Sequence, residues 1–213
     1  MNIFLFGATG GTGYEVLVKL LEEKHNVVAL ARNPIVLDHI KRMHSNLGIV
    51  KGNIYNTETY QDELNKCDLV ISTLGTGTSR KPTEIYSKGG QHIISAMRIA
   101  NIKRLITLTA AAFDSTDPET KKIFIKYLVQ PLFKNIYSDM QQWETILEDS
   151  RDINWTCIRP SRLVSGNEKG NYRVQINHCP KNGRKISRKD LTDFIIKQIK
   201  SDKYIHHKVA IAY

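Results

Sequence analysis

The seven residues Gly7-Ala8-Thr9-Gly10-Gly11-Thr12-Gly13 constrain this chain more than any others, because of what flanks them. Before them runs a short apolar stretch, Ile3 to Phe6. After them, Glu15 to Leu21 shows helical spacing, with Val16, Leu17, Leu20 and Leu21 on one stripe. A strand that turns through glycines directly into an amphipathic helix gives those glycines a physical meaning. Gly7 permits the tight turn off the strand. The missing Cβ of Gly10 lets phosphates approach the backbone, and Gly13 lets the helix sit against the sheet. The helix begins with open N–H groups and the positive end of its dipole. Gly11 belongs to the same cradle, and the hydroxyls of Thr9 and Thr12 add donors. The ligand these features suit is the pyrophosphate of a dinucleotide.

Strand-like and helix-like segments alternate through the rest of the chain, as they do in βαβ units. Strands are expected at Val27 to Ala31, Gly48 to Lys51, Leu69 to Leu74, Leu105 to Leu108 and Trp155 to Ile158. Arg159-Pro160 reads as a breaker after the last of these. Helices are expected over Glu84 to Ala100 and Asp139 to Ser150, and from about Arg188 to Ser201, with a closing strand at Val209 to Ala212. No repeat, low-complexity tract or linker interrupts the pattern. The expected fold is α/β, a doubly wound parallel sheet of the Rossmann type, in a single domain over residues 1–213.

The end of the second strand selects the dinucleotide. Binders of NAD usually place an Asp or Glu there, about 20 residues past the loop, to accept from the ribose 2′-hydroxyl. This chain has Arg32, and the next acidic residue is Asp38. A guanidinium suits a 2′-phosphate, so NADPH (NADP) is the expected cofactor.

The net charge of +10 raises the question of a polyanionic partner. The basic residues are spread along the chain, and the densest run, Lys181 to Lys189, is broken by Asn182-Gly183 and Ile186. That is a Lys-rich solvated surface and lacks the interleaved aromatics of a single-strand binder, so nucleic acid is not an expected partner. No apolar run approaches the ~20 residues of a membrane span. Cys67, Cys157 and Cys179 are widely separated and fit reduced thiols in a cytoplasmic protein, and the seven histidines show no zinc spacing. No Gly-x-Ser-x-Gly elbow or Walker loop occurs.

Taken with Ala31-Arg32 and Leu74-Gly75-Thr76, the glycine loop resembles that of the atypical short-chain dehydrogenases/reductases. Within them the chain is similar to the single-domain NAD(P)H-binding (NmrA-like) proteins, the group that includes flavin and biliverdin reductases. The likeness runs nearly end to end. It extends through the stretches 131–140, 154–160 and 170–174, and through Ile186-Ser187-Arg188-Lys189-Asp190-Leu191. The resemblance implies that Asn53 and Ile54 lie beside the adenine, although relatives more often have an acidic residue where Asn53 stands. It implies that Leu74, Gly75 and Thr76 line the middle of the cofactor and that Thr109 lies near the nicotinamide. Pro160, Ser161 and Arg162 would wall the substrate pocket, which the C-terminal ~55 residues would complete.

Typical short-chain dehydrogenases use Tyr-x-x-x-Lys on the helix after the fifth strand. Here the candidate is Tyr137, but Gln141 stands four residues on. Tyr204 to Lys208 has the spacing but runs into the closing strand, where i and i+4 share no helical face. Reduction of a ketone needs a positioned proton donor, whereas a flavin or quinone ring delocalises the charge and can take its proton from solvent. The expected activity is therefore an NADPH-dependent oxidoreductase with a small-molecule acceptor of flavin or quinone type, with Thr109 and Tyr137 as candidate catalytic residues. The alternative is an NADP(H)-sensing regulatory protein without turnover.

Overall fold

The computed structural model describes residues 1–213 apart from 78, 80, 115 and 120–129. In chain order the elements are β1 (Asn2–Phe6), α1 (Gly11–Glu22), β2 (Asn26–Ala31), α2 (Asp38–Met43), β3 (Leu47–Lys51), α3 (Gln61–Leu64), β4 (Leu69–Ser72), α4 (Ser87–Ile99) and β5 (Arg104–Leu108). They continue with α5 (Gln130–Leu132), α6 (Lys134–Asp149), β6 (Asn154–Pro160), β7 (Arg162–Val164), β8 (Arg173–Ile176), β9 (Lys185–Ser187), α7 (Arg188–Lys197) and β10 (His207–Ala212). Among the described residues eight strands form one sheet in the order β3-β2-β1-β4-β5-β6-β10-β8. All neighbours are parallel except β8, which runs antiparallel to β10. β7 and β9 form a separate parallel pair. This is the doubly wound α/β architecture expected from the alternating pattern.

Strand β1 shows why the sheet is covered on both faces. Ile3 and Leu5 enter one core, formed with α1, α2 and α7, while Phe4 and Phe6 enter another, formed with α3, α4 and α6. Successive strand side chains point to opposite faces, so a strand that is apolar at every position must be buried twice. The strand order reverses at β1: β2 and β3 lie on one side of it, β4 and β5 on the other. Ligands of open α/β sheets bind in the crevice at the carboxyl edge of this switch point. Gly7 stands there.

Several boundaries differ from the sequence expectation. β4 ends at Ser72 because Thr73 turns inward, its amide and hydroxyl both donating to the Phe6 carbonyl at 3.0 Å. α6 begins at Lys134, not Asp139. The Asp139 carboxylate accepts from the Tyr86 and Ser87 amides (2.9 and 3.0 Å), so it caps the start of α4. Arg159 and Pro160 extend β6 where a breaker was expected. The pairing of β6 with β5 stops at Ile158, so the proline's missing N–H leaves no rung broken on that side.

Candidate functional site: a glycine cradle at the switch point

The loop between β1 and α1 is shaped by close approach. Gly7 has φ +86°, and a Cβ there would meet the Thr73 backbone and hydroxyl at 2.8 Å. A Cβ on Gly13 would lie 2.1 Å from the Gly7 carbonyl oxygen and 2.5 Å from Thr73 Oγ1. Both glycines are therefore required by the fold itself. Gly10 differs: it is exposed and in extended geometry (φ −81°, ψ 159°), and an added Cβ would touch the Gly7 oxygen at an ordinary 3.4 Å. Nothing in the protein demands glycine at position 10, so the open space above it is the feature that a ligand would use. Gly10 N–H donates to the Gly7 carbonyl (3.0 Å) and Tyr14 N–H to the Gly10 carbonyl (2.8 Å), which fixes the turn. α1 has neither a side-chain cap nor an acidic residue in its first turn. The first-turn amides and the helix dipole thus face outward without an anion, and the cradle fits a pyrophosphate. Thr9 is exposed and Thr12 half-buried beside it.

The strand ends place the other predicted cofactor residues along the same edge. Leu30 lies opposite Phe6, so Arg32, just past β2, stands beside the loop; it is exposed, with no carboxylate partner among the described residues. Asn53 follows β3 and is exposed, but its side-chain oxygen accepts from the Tyr55 amide at 3.2 Å. Ile54 is buried, and its carbonyl accepts from the Tyr60 hydroxyl at 3.0 Å. Leu74 and Thr76 are half-buried after β4, with Gly75 exposed between them. The Tyr86 hydroxyl lies below Gly75, 3.3 Å from where a Cβ would stand, and burial pushes that hydroxyl well above the usual tyrosine range.

One candidate catalytic residue, Thr109, is held by a buried ionic network that sequence reasoning missed. Thr109, directly after β5, donates its hydroxyl to Glu144 Oε1 at 2.7 Å and lies 3.4 Å from Cys157 Sγ. Arg159 Nε donates to the same oxygen at 2.8 Å, and a second guanidinium nitrogen bonds Glu144 Oε2. The remaining arm of Arg159 reaches Asp114 (2.7 Å) and the Asn177 carbonyl (2.8 Å). Side chains of Arg159 and Glu144 are 5% and 4% exposed, so this is an ion pair removed from water. The clue in the sequence is an acidic residue directly beside the Ile136, Met140, Trp143 and Leu147 stripe of α6. Burial pushes the Cys157 thiol far above its normal range, which makes it a poor nucleophile.

Tyr137 is half-buried among Phe133 and Phe113, with ring centroids 5.8 and 6.0 Å away, and burial raises its pKa. Pro160 and Ser161 are buried. The Ser161 hydroxyl lies 3.1 Å from Cys179 Sγ, while Arg162 is exposed and opens β7. A cavity of about 780 Å³ lies elsewhere, on the α6 side of β6 and β10, with Asp114, Trp155, Arg159, His178, His206 and Lys208 in its wall. Arg159 lines this polar hollow and shares Glu144 Oε1 with Thr109. All three cysteines are free and buried, and no described helix is long and apolar enough to cross a membrane.

A doubly wound sheet with an open glycine cradle at its switch point defines a dinucleotide-binding protein. The chain belongs to the family described as NAD(P)H-binding, whose model matches residues 7–202. It is 22% identical over 214 residues to the uncharacterized protein YwnB of Bacillus subtilis (strain 168), covering 98% of this chain and 95% of that one. Its fold matches ChuY, an anaerobillin reductase from Escherichia coli O157:H7, with TM-score 0.82 at 19% identity over 100% and 97% of the two chains. A short-chain dehydrogenase/reductase of Veillonella parvula DSM 2008, solved in complex with NADP, gives TM-score 0.80 at 17% identity over 100% and 94%. These findings agree with the likeness to atypical short-chain dehydrogenases/reductases.

Proposed function

We propose that the protein is an NADPH-dependent oxidoreductase that passes hydride to a flat conjugated acceptor of the flavin or quinone type. One observation carries this reading: among the described residues, neither predicted hydroxyl is arranged as a proton donor. The Thr109 hydroxyl donates its hydrogen bond to Glu144, and Tyr137 sits in an aromatic cluster with no lysine one turn on. Bound in the cleft, a dihydronicotinamide supplies the hydride. The protein's own part is to hold the pyrophosphate on α1, hold the 2′-phosphate with Arg32 and keep the ring against the β4 and β5 ends. Positioning of that kind contributes several kcal/mol without a general acid. An acceptor ring that spreads negative charge then takes its proton from water.

The cofactor preference follows from Arg32. An exposed guanidinium meeting a 2′-phosphate forms a charge-assisted contact, while NADH finds no carboxylate for its hydroxyl. NADPH is expected to bind at least about tenfold tighter than NADH, one decade being 1.4 kcal/mol. Arg32→Ala should erase most of that difference by weakening NADPH alone. Fluorescence titration of both cofactors, followed by NADPH absorbance with added flavins and quinones, tests both halves of the reading. Equal wild-type affinities would overturn the role of Arg32. Tight binding without turnover by any acceptor would instead favour the NADP(H)-sensing alternative.

A further inference from the structure

We propose that Arg188 is a second cofactor-binding arginine, one that closes over the phosphate cradle and grips the pyrophosphate from the side opposite α1. This rests on the reading of the cradle as a dinucleotide site and adds to it a residue from the far end of the chain.

The position of Arg188 is fixed by a cap. Ser187 is the N-cap of α7: its hydroxyl oxygen accepts from the Asp190 amide at 3.0 Å, and the hydroxyl donates back to Asp190 Oδ2 at 2.9 Å. The Asp190 carboxylate is buried and also accepts from the Lys169 and Gly170 amides and the Tyr213 hydroxyl. The first turn of α7 is thus tied down on several sides. α7 packs alongside α1, with Leu191 and Ile195 in the same core as Leu17 and Leu20. Arg188, the first residue of α7, consequently lies across the first turn of α1. A Cβ built on Gly11 would stand 3.2 Å from Arg188 Nε and 3.7 Å from its Cζ.

That arrangement has an electrostatic fault. A half-buried guanidinium is held against the positive end of a twelve-residue helix whose first turn contains no acidic residue. Among the described residues no carboxylate pairs with it, and the guanidinium makes one hydrogen bond, a long one to Ser165 Oγ at 3.4 Å. Two positive groups that share one space without a counter-charge describe a place for an anion between them. A pyrophosphate lying on the α1 amides would meet the arginine fork on its other face and satisfy both. Arg32 stands at the end of β2 and Arg188 at the start of α7, so the two arginines address different phosphates.

The test uses ligands that carry the phosphates separately. ADP-ribose has the pyrophosphate without a 2′-phosphate, and NADPH has both. In the full-length protein, Arg188→Ala should weaken NADPH, NADH and ADP-ribose alike, by about tenfold each, measured by calorimetry or by competition with NADPH fluorescence. Arg32→Ala should weaken NADPH and leave ADP-ribose unchanged. Arg188→Lys, which keeps charge but loses the fork, should fall between wild type and Arg188→Ala, and thermal melting without ligand checks that each variant is folded. Unchanged affinities in a folded Arg188→Ala protein, or a loss confined to NADPH, would overturn this proposal while leaving the cradle intact. If the wild-type protein bound none of the three ligands, the reading of the cradle itself would fall.

Discussion

Gly13→Ala and Gly10→Ala should damage different properties, because the Cβ they add meets protein in one case and open space in the other. At position 13 it would lie 2.1 Å from the Gly7 oxygen and 2.5 Å from Thr73 Oγ1. Carbon–oxygen contacts normally stand near 3.3 Å, so backbone must yield by about 1 Å. Overpacking of this kind costs about 1–3 kcal/mol, and rigid backbone puts it at the upper end. Alanine returns about 1 kcal/mol through helix propensity, leaving a net loss of about 2 kcal/mol. In a chain of this size that lowers Tm by about 4–8 °C. Gly10→Ala meets no clash and gives up the modest N-cap preference of glycine, about 0.5–1 kcal/mol or a few degrees. Its main effect should be on NADPH, whose Kd should rise at least about tenfold as the methyl occupies the space above the cradle. Melting curves without ligand and fluorescence titrations with NADPH separate the two effects. A Gly13→Ala protein that melts like wild type would refute the close approach of α1 to β1, and wild-type affinity in Gly10→Ala would refute the placement of the pyrophosphate.

Three further outcomes are expected. Tyr137→Phe should lower kcat by less than about tenfold, whereas a loss of about a thousandfold would make Tyr137 an essential acid. Glu144→Ala should cost about 3 kcal/mol or more in urea unfolding, since it strands the buried Arg159 with Asp114 as its remaining ionic partner; Glu144→Met with Arg159→Met should recover most of it. A single-variant loss below about 1 kcal/mol would show the pair to be unimportant. Burial, and then the nearby amino group of Met1, lower the pKa of His25, so the folded state holds that proton less readily than the unfolded chain. Stability from this group is complete above about pH 6.5 and declines as pH falls from there, by at most about 1.4 kcal/mol per unit. Urea titrations at pH 5 to 7 should show that slope flattened in His25→Gln.

What the sequence disclosed was local in chain distance. β1, the glycines and α1 are contiguous, so their spacing carried the cradle, and Arg32 was found by counting to the next strand end. The buried network was hidden because Thr109, Glu144 and Arg159 come from three separate elements and meet only when β5, α6 and β6 are packed. Arg188 was visible as part of a family-like stretch, but its relation to Gly11 depends on α7 lying against α1. Asp139 misled for a physical reason. It has the residue type of a helix start, and it does cap a helix, but the helix is α4, more than fifty residues earlier.

The position of β8 at the margin of the sheet ties local stability to the order in which the strands can form. β8 hydrogen-bonds to β10 and to no other strand among the described residues, and β10 follows it by some thirty positions. Residues 161–187, which leave the sheet after β6 and include Ser161 and Arg162, therefore have no place to anchor β8 until residues 207–212 have docked against β6. During synthesis this excursion must wait while the strands from β1 to β6 can already pair. In the finished protein, any fluctuation that lifts β10 also releases β8, so amide exchange in residues 173–176 should never be slower than in 207–212. The proposed acceptor wall would then open and close with one strand, and because Tyr213 directly after β10 bonds Asp190, the same movement would loosen the turn that seats Arg188.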